Sequence, residues 1–320
     1  RELAATGRVE FLAETSHHSL AWLASQEEFA RQIALHREML ADELGVEPRV
    51  FRNTELIYSD DLARFVEARG YTGVLADGVP ALLGGRSPHH VYRAATPAGF
   101  PLLLRDFRLS DDIAFRFSNR EWSEYPLTAE KYDGWIAGLG GDLASLFMDF
   151  ETLGEHQWKE TGIFEFFETW VGLHLSRPGA RFLTPSQAIA DLPARDHLSA
   201  PRLLSWADEA RDVSAWQGNE LQRDALRRLF RLEDRVRDSG SGTLLRDFRR
   251  LTTSDLYYYM GTKTTSDGEV HAYFSPYDSP YDAYMAFMHV VSDLEGRLSA
   301  ARRGRVRADL AGTPAAREAR

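Results

Sequence analysis

The sequence predicts an α/β fold built around a mostly parallel sheet. Along the first half, short and nearly continuous apolar runs alternate with segments whose apolar residues recur at helical spacing. Strands of that kind are typical of parallel sheets covered on both faces. Several runs also end in a carboxylate, and in a barrel the carboxyl ends of the strands carry the chemistry. These observations together favour a strand–helix domain with a polar edge.

The predicted elements follow one another in chain order. Apolar runs predict strands over 8–15, 49–56, 71–77, 101–107 and 144–151, with a last short strand and turn over 180–189. Helical spacing predicts helices over 25–44, 59–70, 128–139 and 162–175. The first helix begins with a capping box of Ser25 and Glu28 and stops at Gly45, and the second has a Ser cap and a Gly stop.

After residue 195 the pattern becomes helical. Residues 217–240, 243–261 and 279–304 have charged outer faces, which are most simply solvated helix surfaces. We therefore expect three parts: a partial (β/α) barrel catalytic domain over 1–195, a helical region over 196–304 that packs on the barrel and contributes to the cleft, and a flexible tail over 305–320.

Composition excludes several classes of protein. The chain has 320 residues, 43% of them hydrophobic, which suffices for one large domain, or one domain with a smaller attachment, with a real core. A net charge of −10 argues against non-specific nucleic-acid binding. The absence of cysteine removes disulfides and thiolate catalysis, and fits a reducing compartment such as the cytoplasm. No apolar run approaches the roughly 18 residues of a membrane span, so we expect no membrane partner.

Two strand-ending carboxylates suggest a reaction. Glu55 ends the run in FRNTEL and Asp149 ends the run in FMDFE, and parallel strands with a common polar end would bring them together. A pair of carboxylates across a cleft is the minimum equipment for cleaving a glycosidic bond. One must be ionised and the other held protonated near neutral pH. The alternative is that such residues, with Glu14, Asp77 and Asp106, cap the helices that follow.

Five stretches resemble glycoside hydrolase family 57, in its smaller α-amylase-like members. They are GRVEFLAETSHHSL, FRNTELIYSDDLA, FMDFETLGEHQW, and TTSDLYYYMGTK with YFSPYDSPYDAY, in the family's order from about residue 7 to residue 298. The resemblance implies a retaining glycosidase that acts on α-1,4-glucans or maltooligosaccharides. It also implies an incomplete (β/α)7 barrel followed by a helical region. We expect no cofactor and no metal.

The resemblance assigns roles by motif position. Glu55 would be the nucleophile and Asp149 the general acid/base. The expected substrate-binding residues are Glu14, His18, Glu155, His156, Trp158 and Asp255. For some of these a second interpretation stays open: Glu155 and His156 could instead cap the next helix, and Trp158 could stack on a sugar face or fill the rim.

The chain departs from the family pattern in three places. The first motif, a His-Gln-Pro on the first barrel strand, is absent, so we expect the barrel to lack its first strand or strands. Ser16 and His17 stand where the second motif has aromatic residues, and Leu256 follows Asp255 where the fifth has a histidine. The latter two changes concern substrate contacts rather than the carboxylate pair.

Other functions compete with hydrolysis. The same site could act as a 4-α-glucanotransferase or in branching-type transfer, and a non-catalytic glucan-binding protein is a further possibility. A metal-dependent carbohydrate deacetylase would need an Asp and two His ligands. The histidine doublets at 17–18 and 89–90 leave that open, although no HExxH-type spacing is present.

Overall fold

The computed structural model describes the backbone of residues 1–263 and 275–312 and the side chains as far as residue 303 outside that gap. The chain forms two compact units. The first comprises Arg1–Ala13 and Arg37–Trp206, and the second comprises Glu14–His36 and the chain from Ala207 onward. The predicted domain bounds stay predictions. Tyr273 and Phe274 of the last motif and tail residues 313–320 lie outside the described residues.

Five strands form one sheet in the first unit. They are β1 Val50–Arg52, β2 Gly73–Asp77, β3 Val91–Ala94, β4 Pro101–Arg105 and β5 Ala194–Leu198. Their order across the sheet is β1-β2-β4-β3-β5. Every neighbouring pair is parallel except β3 and β4, which are antiparallel. The predicted α/β class with a mostly parallel sheet is therefore confirmed.

Eight helices occur in the described chain as far as β5. They are α1 Glu2–Ala5, α2 Gln26–Leu44, α3 Asp60–Glu67, α4 Pro80–Leu83, α5 Phe107–Ala114, α6 Ala129–Ala137, α7 Ile163–Ser176 and α8 Pro185–Asp191. The predicted starts of α2 and α3 hold, because the hydroxyls of Ser25 and Ser59 accept from the backbone N–H groups of Glu28 and Leu62.

Three predicted strands are wrong. In 8–15 only Ala13 pairs, through a single parallel bridge to Phe51. Residues 144–151 join no ladder; instead the carbonyl of Ser145 accepts from Asp106 N at 2.8 Å and Phe147 N donates to the Ser110 hydroxyl at 3.2 Å. Periodicity alone does not assign a short apolar run to a strand.

The third error concerns 180–189. Thr184 and Gln187 form a reciprocal capping box, and Pro185 occupies the first turn, so the chain enters helix α8 where a strand and turn were predicted. The strand of this region lies farther on, at β5. Strand β5 has the sequence ARDHL, which is mostly polar, so no apolar run predicts it. Strand β3 is only four residues long, VYRA, and was not predicted either.

The second unit is helical where the structure describes it. Its helices, besides the first part of α2, are α9 Ser214–Gln217, α10 Glu220–Phe230, α11 Glu233–Asp238, α12 Gly242–Arg250, α13 Ser254–Tyr258 and α14 Pro280–Gly312. Helices occupy most of 217–240, 243–261 and 279–304 as predicted, although the first two segments are each divided into shorter helices. The helical region does not begin at residue 196, because strand β5 continues to Leu198 and the next helix begins at Ser214. Among the described residues, none of the helices combines the length and the apolar character that crossing a bilayer requires.

Helices α6 and α7 pack through a cluster of aromatic rings. Tyr132 of α6 contacts Phe166 and Trp170 of α7 at centroid distances of 5.7 and 5.2 Å. At the edge of this cluster, buried Asp133 accepts from His174 Nδ1 at 3.1 Å and from the guanidinium of Arg177. Burial raises the pKa of Asp133 most strongly, but the hydrogen bonds from Arg177 and His174 outweigh it, so the pKa is lowered.

Replacing Asp133 by alanine is expected to destabilise the first unit by about 1.5–3 kcal/mol, the usual worth of hydrogen bonds to a charged group. Because the folded-state pKa is lowered, the contribution is present above the ordinary carboxyl pKa of 3.8 and is lost as the pH falls through the lower folded value. Urea unfolding at neutral and acidic pH measures both effects. An equal loss of stability at every pH would contradict the assigned ion pairs.

Candidate active site

Glu55 stands on a strained turn directly after strand β1. Its backbone is left-handed, with φ 56° and ψ 25°, a region that non-glycine residues rarely occupy. Buried Asn53 holds the turn by donating from its amide to the carbonyl of Ile57 at 3.0 Å. Such conformations persist where the surrounding structure enforces them, and they concentrate at functional sites.

Trp206 holds the side chain of Glu55. The indole Nε1–H donates to Glu55 Oε2 at 2.8 Å, across 151 positions of sequence. The contact arises because Tyr58 and Leu204 exchange two backbone hydrogen bonds, of 2.9 and 2.8 Å, which bring the segment ending at Trp206 beside the Glu55 turn. A hydrogen bond from an N–H group to a carboxylate is of the stronger, charge-assisted kind and fixes its orientation.

Two arginines flank the Trp206 ring. The guanidinium carbon of Arg52 lies 5.1 Å from the ring centroid and that of Arg105 lies 5.4 Å from it, within the range of cation–π attraction. Arg105 is the last residue of β4 and is only 3% exposed. The positive charges surround the indole that holds Glu55, so the carboxylate belongs to a charged network.

Asp149 is not a helix cap. It occupies the N-cap position of a short 3-10 helix, Phe150–Thr152, but its side chain makes no capping hydrogen bond. Asp106, by contrast, does cap α5, accepting from Leu109 N at 3.0 Å and bonding His89 Nε2 at 2.7 Å. Asp77 instead pairs with Arg105. The capping alternative therefore explains Asp106 but not Asp149.

The environment of Asp149 favours its protonated form. Asp149 keeps an exposed surface, yet the surrounding protein displaces enough water from its carboxyl group that desolvation is the largest cause of a raised pKa. The negative charges of Glu55 and Glu151 raise the pKa further, while Arg52 and His156 oppose them. Glu55 and Asp149, which sequence places 94 residues apart, thus lie close enough in the first unit to affect each other's ionisation.

The segment after Asp149 is a closed loop. The N–H groups of Glu155 and His156 both donate to the carbonyl of Glu151 at 3.1 Å, and buried Gln157 anchors the loop by donating to the carbonyl of Ala114 at 3.0 Å. Neither Glu155 nor His156 occupies the cap position of the next helix, so their capping interpretation is not supported.

Trp158 also belongs to this loop and is largely exposed. It holds the N-cap position of the 3-10 helix Lys159–Thr161, and 63% of its surface is exposed. Its ring is therefore presented to solvent rather than buried in the core. This exposure suits a ring that stacks on a ligand, although the role itself stays a prediction.

The second unit brings together Glu14 and His18. His18 Nδ1 lies 3.4 Å from Glu14 Oε1, and the carbonyl of His18 accepts from Ser254 N at 2.9 Å. Ser254 precedes Asp255, which is exposed in the first turn of α13. The second and the last predicted motifs are therefore neighbours within this unit.

Sequence reasoning did not identify two residues of the candidate site, Trp206 and Arg105. Trp206 follows no motif and reaches Glu55 only through the Tyr58–Leu204 pairing, which no local pattern reveals. Arg105 is visible as a charge at the end of an apolar run, PLLLR, and that was the available signal. Across the described parts of the chain, no group of three or more His, Asp or Glu residues is arranged to hold a metal ion.

Two solved structures share the fold at low sequence identity. A GH57 branching enzyme from Thermococcus kodakaraensis has a TM-score of 0.69 and 16% identity, covering 93% of this chain and 67% of that chain. A 4-alpha-glucanotransferase from Thermococcus litoralis has a TM-score of 0.60 and 16% identity, covering 80% of this chain and 45% of that chain. These similarities confirm the predicted fold class.

Sequence comparison gives the family. A protein of Methanocaldococcus jannaschii named "Putative alpha-amylase" is 39% identical over 307 residues, which are 92% of this chain. The chain spans only 65% of that relative's length. The sequence profile of glycosyl hydrolase family 57 matches residues 1–201, more than half of the 320 residues and including both Glu55 and Asp149. The chain therefore belongs to glycosyl hydrolase family 57.

Proposed function

We propose that the chain is a retaining glycosidase that cleaves α-1,4-glucans, with Glu55 as nucleophile and Asp149 as general acid/base. One observation carries the proposal. Asp149 has a raised pKa, caused first by desolvation and then by the charge of Glu55, while Glu55 is oriented by a hydrogen bond from Trp206. Glycosidic cleavage needs one protonated and one ionised carboxyl group, and a raised pKa of Asp149 beside Glu55 favours that pairing.

The proposed reaction has two steps. In the first, a carboxylate oxygen of Glu55 attacks the anomeric carbon while protonated Asp149 donates its proton to the departing glycosidic oxygen, leaving a glycosyl ester on Glu55. In the second, ionised Asp149 removes a proton from the acceptor, whose oxygen attacks the same carbon and releases Glu55. The two inversions retain the configuration at that carbon.

Hydrolysis and glycosyl transfer share the first step and differ only in the acceptor. Water gives shorter glucans, whereas a sugar hydroxyl gives rearranged or longer ones. The relatives and structural neighbours have names of both kinds, an alpha-amylase, a branching enzyme and a 4-alpha-glucanotransferase. We propose hydrolysis first and transfer as the second candidate, on the same two carboxylates.

Incubation with maltoheptaose, with products separated by chromatography, tests the proposal. The unmodified chain should produce shorter glucans, and the Asp149→Asn variant should produce almost none. Glucans longer than seven units would identify transfer. Binding of maltoheptaose without any product would favour a glucan-binding protein, and equal product from both chains would remove Asp149 from the mechanism.

A further inference from the structure

We propose that Arg105 is the positioning residue that sets the separation between the carboxyl groups of Glu55 and Asp149. This inference rests on the proposed function, and it adds a third residue that acts on the two proposed catalytic carboxylates. The guanidinium contacts the supports of both carboxylates. Its Nε donates to the carbonyl of Phe147, two residues before Asp149, at 2.7 Å, and its charge lies 5.4 Å from the Trp206 ring that holds Glu55.

The guanidinium itself is fixed. Asp77 and Arg105 are register partners on the parallel strands β2 and β4, and their side chains pair at 3.4 Å. Asp111 of α5 accepts from a second guanidinium nitrogen. Asp77 and Asp111 are buried together with Arg105, so these ion pairs form inside the protein, where losing one partner is costly. Because Asp77 and Asp111 hold the guanidinium from two sides, Arg105 can in turn fix the Phe147 carbonyl and the Trp206 ring.

Lysine cannot replace this arginine. The planar guanidinium offers five donors in a rigid fork, whereas an ammonium group is a single point charge on a flexible stem. Arg105→Lys therefore keeps the positive charge but cannot hold Asp77, Asp111 and the Phe147 carbonyl at once. Glu55 and Asp149 would then be free to move apart when both are ionised, because two negative charges repel each other.

Titration of Asp149 tests this inference without reference to activity. The midpoint is followed by carbon NMR of aspartate-labelled protein, with the signal assigned through Asp149→Asn. The charged groups acting on Asp149 are Glu55, Glu151, Arg52 and His156. Removing the Glu55 charge with Glu55→Gln should lower the midpoint, and Arg105→Lys should lower it as well.

The double variant Arg105→Lys with Glu55→Gln is decisive. It distinguishes an effect of Arg105 on the distance between the two carboxyl groups from a direct effect of its charge on Asp149. If Arg105 acts through the separation of the pair, adding Arg105→Lys to Glu55→Gln should lower the midpoint no further. An unchanged midpoint in Arg105→Lys alone would overturn the inference. A shift that adds fully to that of Glu55→Gln would overturn it too, since the arginine would then act on Asp149 independently of Glu55.

Kinetics on maltoheptaose provide the second arm. Trp206→Phe keeps a ring beside the arginines but removes the N–H that donates to Glu55. We expect kcat to fall about 10- to 100-fold in Trp206→Phe and in Arg105→Lys with little change in KM, because loss of a well-placed donor affects the transition state. The two effects should be less than additive. A rise in KM with unchanged kcat would assign both residues to substrate binding instead.

Arg116→Lys is the matched control. Arg116 also pairs with an aspartate, Asp112, at 2.6 Å, donates to a backbone carbonyl, and lies 5.7 Å from a tryptophan ring, that of Trp122. It contacts neither support of the carboxylate pair, so its variant should keep both kcat and the Asp149 midpoint. If the unmodified chain released no product, the proposed function would fail, while the titration would still decide the role of Arg105.

Discussion

Glu55→Gln is expected to abolish turnover, lowering kcat by a factor on the order of 10⁴ or more, as is usual when a nucleophile is removed. Glutamine has the same shape as glutamate and retains an oxygen that can accept from Trp206 Nε1, so the strained turn and its hydrogen bond should survive. The loss would therefore be chemical rather than structural. Initial rates on maltoheptaose and unfolding curves measure the two separately.

Glu67→Gln provides the comparison for this variant. Glu67 lies in the same unit at the end of α3 and accepts from the hydroxyl of Thr96 at 2.9 Å, so it undergoes the same change in a similar hydrogen bond. Its turnover should be unaffected. A Glu55→Gln enzyme that kept a tenth or more of the original rate would remove Glu55 from the role of nucleophile.

Asp149→Asn is expected to lower kcat about 10²- to 10⁴-fold, the usual contribution of a general acid/base, and also to stabilise the folded chain at neutral pH. The folded state raises the pKa of Asp149, so ionising this group costs stability as the pH rises from 3.8 through the raised value. Asparagine removes that cost. The gain should be present at pH 7 and vanish at acidic pH, where the aspartic acid is neutral as well.

Asp142→Asn should change stability at pH 7 in the opposite direction to Asp149→Asn. Hydrogen bonds from His90 and then Arg195 hold the pKa of Asp142 below its ordinary value, so its ionised form stabilises the fold and its removal should destabilise the chain at pH 7. Urea unfolding of both variants at neutral and acidic pH provides the test. If Asp149→Asn also destabilised the chain at pH 7, the raised pKa assigned to Asp149 would be wrong.

Much of the fold could be predicted from local features of the sequence. Ser59 with a following amphipathic segment predicts α3, and the run through Gly73–Asp77 predicts β2, because caps and buried strands depend on nearby residues. The error at 144–151 has another origin. That segment is half-buried over 144–148 and exposed over 149–151, and its hydrogen-bond partners include Ser110 and Asp106, so nothing in its own composition distinguishes it from a ladder strand.

The candidate site divides in the same way. Glu55 and Asp149 could be selected because each ends an apolar run and matches a family motif, and their electrostatic coupling supports the selection. Trp206 and Arg105 could not, because their importance comes from contacts across 151 and 42 positions respectively. Such contacts depend on strand order and loop path, which periodicity does not encode.

The discontinuous second unit has a consequence for how the chain is made. Within that unit, Leu20 N donates to the carbonyl of Thr252, and the side chain of Gln32 bonds that of Thr252 across 220 positions. A ribosome adding about 5–20 residues per second needs roughly 10–45 s to cover that interval. Residues 14–36 therefore emerge long before their partners exist, and Glu14 and His18 can reach their final surroundings only late in synthesis.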